Sequence, residues 1–164
     1  MHPRCVNLNI GAFPNVEIVG SALELPLADG CADAILCVSV LEHLTRPWLA
    51  AIEMLRVLRP GGTLYTETPW MVQSHGYPSD YYRYTIEGLK VLFAGCRFCD
   101  AGPTAGCSSA ISVLLRKYIV ELTSSRLKQF ANYVVGAALL PLKYLAARRD
   151  GGLAQGYYLV ARKP

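Results

Sequence analysis

The residue pattern specifies an α/β fold built on a mostly parallel sheet. Apolar, β-branched runs of strand length alternate along the chain with stretches of helical periodicity. The run from Asp33 to Ser39 is almost continuously apolar, the pattern of a strand buried on both faces of a parallel sheet. Of 164 residues, 52% are hydrophobic and 17% charged. The charged share lies below the roughly 25% of ordinary soluble domains, which excludes a chain disordered over most of its length. The length is that of one domain, 1–164, with enough chain to bury a core.

Val6 to Ile10 and Val16 to Val19 are short β-branched runs separated by Gly11, Pro14 and Asn15, and read as two strands. Pro26 and the turn-forming pair Asp29-Gly30 lead into the apolar strand at Asp33. A helix follows. Thr45 can cap it, Pro47 suits its first turn, and Trp48, Leu49, Ile52, Leu55 and Leu58 recur at helical spacing on one face. Glu53 and Arg56 are spaced for an i,i+3 pair, and Pro60-Gly61-Gly62 stops the helix. Thr63 to Thr68 makes the next strand, ended by Pro69. The loop from Trp70 to Tyr84, dense in Tyr and Trp around His75, Pro78 and Asp80, is too aromatic for a mere connector. Thr85 caps a helix to about Ala94, and Cys96 to Ala101 gives a strand. Residues 108 to 124 and 126 to 147 read as two helices, the second kinked at Pro141. Gly151-Gly152 breaks the chain, and Tyr157 to Arg162 closes it as a final strand.

Charge is unevenly spread. Residues 1 to 100 carry seven Lys/Arg against ten Asp/Glu, and residues 101 to 164 nine against two. The net of +4 is too mild to mark a nucleic-acid binder, so no nucleic-acid partner is expected. No secretory signal opens the chain, and its six scattered cysteines fit a reducing, cytoplasmic setting. Cys96 and Cys99 have C-x-x-C spacing, but in a strand an offset of three puts them on opposite faces, so buried free thiols are expected. The most apolar window, Ala131 to Leu142, is shorter than the ~20 residues of a spanning helix.

The ordered set Leu25-Pro26-Leu27, Asp33-Ala34, Leu41-Glu42-His43 and Glu53-x-x-Arg56-Val57-Leu58-Arg59-Pro60-Gly61-Gly62 resembles the S-adenosylmethionine-dependent methyltransferases of the Rossmann-like class, type 11 group. The likeness covers about residues 6 to 100, and Pro78-x-Asp80-Tyr81-Tyr82-Arg83-x-Thr85 looks like one branch of that group. The resemblance implies a sheet in the order 3-2-1-4-5-7-6 with an antiparallel last strand. A helical insertion, 102–152, then precedes that strand. It also implies that the family's first βα unit, with its Gly-rich turn, is absent from this sequence, leaving the domain N-terminally truncated.

Ser39, Leu41 and Glu42 lie just past the carboxyl end of a central strand, where open α/β sheets place ligands. By resemblance they border the methionine portion of S-adenosyl-L-methionine, while Ser21, Ala22 and Leu23 line its adenine. Asn9 stands where the family has an acidic residue for the ribose hydroxyls, and Ser21 where many relatives have Asp. Each replacement is expected to weaken binding by about 1–3 kcal/mol. Methyl transfer from a sulfonium needs alignment and exclusion of water, and no metal. His75 and His43 are the candidate bases for a hydroxyl acceptor, with ordinary loop hydrogen bonding or packing as the plainer role for each. Tyr81, Tyr82 and Arg83 form an aromatic and cationic patch suited to an anionic or sugar-like substrate, or to packing a lid. Glu53 is expected to fix Arg56 or a neighbouring loop.

The expected activity is methyl transfer to a small-molecule, glycan or lipid-linked acceptor. The alternative is a non-catalytic, truncated methyltransferase-like module with a partner-binding or membrane-peripheral role. Arg126, Lys128, Lys143, Arg148 and Arg149 flank an apolar helix that could lie on an anionic membrane through residues 126–149, or pack on the core with solvated ends.

Overall fold

Chain order sets strands β1 (Leu8–Asn9), β2 (Ile18–Val19) and β3 (Ala32–Val38) before helix α1 (Pro47–Val57) and strand β4 (Leu58–Pro69). Helix α2 (Ile86–Leu92), strand β5 (Arg97–Pro103), helices α3 (Cys107–Leu122) and α4 (Lys128–Ala138) and strand β6 (Gly156–Arg162) follow. The computed structural model describes residues 5–76, 79–124, 126–141 and 153–164. Strands β3 and β4 run parallel, and β6 enters between β4 and β5 antiparallel to both, giving the order β3-β4-β6-β5. The sheet is α/β in setting and parallel except for its last strand, as the sequence implies. Strands β1 and β2 form a separate parallel pair, Leu8 opposite Ile18 and Asn9 opposite Val19. Among the described residues no strand joins that pair to β3.

The core lies between one sheet face and helices α1 and α2. Cys37, Leu64 and Leu159 from the sheet meet Ala50, Ala51 and Met54 from α1, and Leu89 and Phe93 from the α2 region. Strand β3 is not buried on both faces, however: Leu36 and Val38 are 74% and 48% exposed. A continuous apolar run is read as doubly buried only when layers cover both faces, and among the described residues no helix covers this one.

Helix α1 also differs from its expected face. Its buried residues are Pro47, Ala50, Ala51, Met54 and Val57, while Trp48 and Ile52 are exposed. Two alanines let the helix lie close to the sheet beside Met54 and Val57, while of the expected stripe Leu55 packs partly buried against the core and Leu58 is fully buried at the start of β4. The N-cap is Arg46, with no side-chain bond into the first turn, so Thr45 does not cap it. Pro47 does open the helix, where its missing N–H costs nothing.

The Pro60-Gly61-Gly62 stretch is a bulge inside β4. The register steps from Ala32 opposite Leu58 to Ala34 opposite Thr63. Gly61 has φ +72°, and a Cβ on Gly62 would lie 2.8 Å from the Arg59 carbonyl oxygen, so both positions demand glycine. Thr85 caps α2 as expected, its Oγ1 accepting from the Gly88 N–H at 3.0 Å.

Cys96 and Cys99 are free thiols, the first partly buried and the second exposed. Helix α4 packs against α3 and buries none of its residues. It ends at Ala138 and Pro141 follows in a turn; the rest of the helix expected to residue 147 lies outside the described residues. Lys143, Arg148 and Arg149 lie outside the described residues. Among the described residues no helix is long and apolar enough to cross a membrane.

Candidate active site at the carboxyl end of β3

Strand β3 ends in an uncommon backbone conformation. Ser39 has φ +52°, a region disfavoured for a residue with a Cβ, and its N–H donates to the Glu67 carbonyl at 2.9 Å. This turns the chain off the sheet into a 3-10 turn, Leu41–His43. Leu41 is fully buried in the core and anchors the turn, so Glu42 and His43 are held firmly beside it.

The loop after β4 comes back over this turn. The Glu42 carbonyl accepts from the N–H of Tyr81 at 2.7 Å and of Tyr82 at 3.4 Å. His43 Nδ1 lies 2.5 Å from the Ser79 carbonyl oxygen. A carbonyl only accepts, so Nδ1 carries the proton and Nε2 is left with its lone pair. That Nε2 is 3.6 Å from Glu42 Oε1, and His75 Nε2 is 3.9 Å from the same oxygen. The two rings meet edge to face, with centroids 5.1 Å apart. Both Glu42 carboxylate oxygens are buried and without a hydrogen-bond partner. Burial pushes the Glu42 carboxyl above its ordinary range, partly offset by its own backbone and by the charges of His43, His75 and Arg83.

Asp80 fixes the other side of His75. Its buried carboxylate takes the Arg83 guanidinium on both oxygens, one at 2.6 Å, and accepts from the His75 N–H at 3.0 Å. The Arg83 bond holds the Asp80 carboxyl well below the usual carboxylate range. His75 Nδ1 is 3.5 Å from the same carboxylate. Arg83 therefore already has Asp80 and the Tyr82 carbonyl as partners, while Tyr81 is exposed and the Tyr82 hydroxyl donates to the Thr45 carbonyl at 3.3 Å.

The Glu53 and Arg56 pair forms as spaced, at 2.8 Å. Arg56 also donates to the carbonyls of Leu25 and Leu27 and to Asp29, and Glu53 accepts from the Leu25 N–H. The Leu25-Pro26-Leu27 stretch is thus clamped to α1 by these two side chains, which explains why the two motifs occur together.

The residues expected to line a cofactor are spread over three strand ends. Asn9 is exposed at the end of β1, its Oδ1 accepting from the Gly11 N–H at 3.2 Å. Ser21 Oγ accepts from the Leu23 N–H, and Ala22 and Leu23 pack against the core. Ser39 is exposed, whereas Leu41 and Glu42 are closed off from solvent. Sequence reasoning quoted Asp80 without giving it a role. The signal was present, since Asp80-x-x-Arg83 repeats the acid-x-x-Arg spacing of Glu53 and Arg56. A groove of about 460 Å³ that no motif announced lies against the same loop, lined by Gln73 and by Arg116, Lys117 and Lys128 of α3 and α4.

Comparison with known proteins agrees with this architecture. A family model described as a methyltransferase domain, type 11, matches residues 5–66. An uncharacterized methyltransferase of Mycobacterium bovis is 42% identical over 59 residues, 35% of this chain and 23% of its own length. One of Mycobacteroides abscessus is 40% identical over 78 residues, 47% of this chain and 27% of its own length. The chain thus spans about a quarter of the curated relatives it matches. Among solved structures, the cyclase SpnF superposes with a TM-score of 0.54 at 23% identity, covering 92% of this chain and 57% of that one. A Bacillus halodurans protein whose methyltransferase assignment is provisional superposes with a TM-score of 0.55 at 16% identity, covering 93% of this chain and 73% of that one. At these identities the structures speak for the fold alone, and a cyclase among them shows that the fold does not choose the reaction. Over residues 5–66 the chain matches the methyltransferase-domain model and is similar to uncharacterized methyltransferases, and its sheet is that of Rossmann-like methyltransferase structures.

Proposed function

We propose that the chain takes part in methyl transfer from S-adenosyl-L-methionine to a hydroxyl or amine of a small-molecule, glycan or lipid-linked acceptor, with His43 and His75 on the acceptor side. The observation that carries this reading is the Glu42, His43 and His75 cluster at the carboxyl end of β3, inside and beside the family-matched segment. When bound, the cofactor supplies a methyl group already activated on a sulfonium. The residues fit it as one wall of a site: Asn9 and Ser39 offer exposed polar groups, and Ala22 and Leu23 an apolar edge. Leu41 and Glu42 support that wall from behind, since neither reaches solvent.

His43 has its Nδ1 proton committed to Ser79, so Nε2 is its basic atom. A proton received there from an acceptor is stabilised by Glu42, 3.6 Å away. Asp80 and Arg83 position His75 and the loop over this centre, and the exposed Tyr81 is the aromatic side chain on that loop left for an acceptor, since the Tyr82 hydroxyl is bonded to Thr45. Arg116, Lys117 and Lys128 line the groove, and with one carboxylate, Glu121, shared between the two lysines the remaining positive charge favours an anionic acceptor. With such an acceptor, His43→Gln and His75→Gln should each lower the transfer rate by about 10²–10⁴-fold without weakening cofactor binding. Unchanged rates in both variants would refute the assignment.

A second reading, a membrane-peripheral module, draws on α4, which leaves Phe130 and Tyr133 exposed close to Lys128. It requires co-sedimentation with anionic vesicles and not with neutral ones; equal binding to both, or none, rules it out.

A further inference from the structure

We propose that Glu42, His43 and His75 form a binding site for one divalent first-row transition-metal ion of the zinc type. One ligand atom from each of the three lies within 4.8 Å of the others. Two imidazole nitrogens and one carboxylate oxygen are a donor set that suits zinc and its neighbours and not magnesium or calcium, which prefer oxygen. Zinc bonds to nitrogen and oxygen of about 2.0–2.2 Å set tetrahedral ligand atoms roughly 3.3–3.5 Å apart. The separations from Glu42 Oε1, 3.6 Å to His43 Nε2 and 3.9 Å to His75 Nε2, are within a few tenths of an ångström of this, and the two histidine nitrogens, within 4.8 Å, close on the ion by rotation of the exposed His75 side chain.

Two independent features point to a cation there. The Glu42 carboxylate is fully buried, and neither oxygen receives a hydrogen bond. A buried carboxylate without donors is costly unless a cation or a proton compensates it. The second feature is the outer layer around the imidazoles. His43 holds its Nδ1 on the Ser79 carbonyl at 2.5 Å, and His75 Nδ1 is 3.5 Å from the Asp80 carboxylate. A carbonyl or carboxylate behind each imidazole is how metal-binding histidines are oriented, with Nε2 turned to the ion. Three protein ligands leave a fourth position open to water or an acceptor oxygen. Entry is from the side of His75, which is 43% exposed.

The inference rests on the cluster and not on the methyl-transfer reading: a bound ion occupies the His43 Nε2 lone pair, so the proton-accepting role belongs to the metal-free site. Its test measures no turnover. The full chain, kept reduced, is titrated with Co²⁺ followed by visible d–d absorption, and with Zn²⁺ in competition with a chromophoric chelator. One equivalent should bind, with no thiolate-to-cobalt charge-transfer band from the six cysteines. His75→Ala and His43→Ala should each weaken binding at least tenfold, and Asp80→Asn by about 10- to 100-fold through loss of imidazole orientation. His75 is a surface loop residue, so its variant keeps the wild-type circular dichroism and thermal midpoint even if the His43 variant does not fold. Absence of binding, a thiolate band, or affinity unchanged in a folded His75→Ala protein overturns the proposal. The last two outcomes would place the ion on cysteines or elsewhere. None of the three bears on whether the chain binds S-adenosyl-L-methionine.

Discussion

Ser39 is the residue at which the sheet hands over to the site. Its φ of +52° lets the chain leave β3 and present Glu42 and His43 inward, while its N–H stays bonded to Glu67. Left-handed backbone costs an L-residue about 1–2 kcal/mol, and a β-branched side chain tolerates it least. Ser39→Val should therefore lower unfolding stability by about 1–2 kcal/mol, and Ser39→Gly should leave it equal or higher, as read by urea denaturation. His43 and Glu42 were legible as a motif, but their partner was not. His75 lies 33 positions after Glu42 along the chain, and only the return of the loop, stitched by Tyr81 and Tyr82 to the Glu42 carbonyl, brings it there. Local spacing reveals pairs on one helix or turn and is silent about such closures.

At the scale of elements, the clamp between α1 and the Leu25–Asp29 stretch is the most informative. Arg56 holds the Glu53 carboxyl down at about 2, against an ordinary value of 4.5, by direct hydrogen bonding, with the Leu25 N–H adding to it. A carboxyl lowered on folding stabilises the native state fully above pH 4.5, and that contribution is lost as the pH falls from there toward 2. Unfolding stability should fall over this window in the wild type, and the fall should be shallower in Glu53→Gln. At neutral pH the same variant should lose on the order of 1–3 kcal/mol, the worth of hydrogen bonds to a charged group. Thr85→Ala should cost about 1 kcal/mol by removing the α2 cap. This clamp could be read from the i,i+3 spacing of Glu53 and Arg56, whereas the buried face of α1 could not. Hydrophobic periodicity follows large side chains, and here Ala50 and Ala51 share the contact with Met54 and Val57 while Trp48 and Ile52 stay outside.

Across the whole molecule, the order of strands and helices and the antiparallel β6 followed from the sequence, because alternating strand and helix patterns specify a parallel sheet and the family motifs specify its last strand. Which faces carry a second layer did not follow, since an apolar strand has the same sequence whether or not something covers it. The face bearing Leu36 and Val38 is open among the described residues, next to the unpaired edge of β3. Such a surface binds apolar dyes and other copies of the chain. Leu36→Lys should reduce anilinonaphthalene sulfonate fluorescence and light scattering at high protein concentration while leaving the thermal midpoint unchanged. A dye signal identical in the variant would show that the face is not open in solution.

On the proposed reading, the strand ends holding Asn9, Ser21 to Leu23 and Ser39 present a surface for S-adenosyl-L-methionine beside the histidine cluster. Isothermal titration calorimetry of the full chain with the cofactor measures this directly. A saturable heat for one site, weakened in Asn9→Ala and unaffected in His75→Gln, is the expected result. No heat at millimolar cofactor from a folded protein would contradict it.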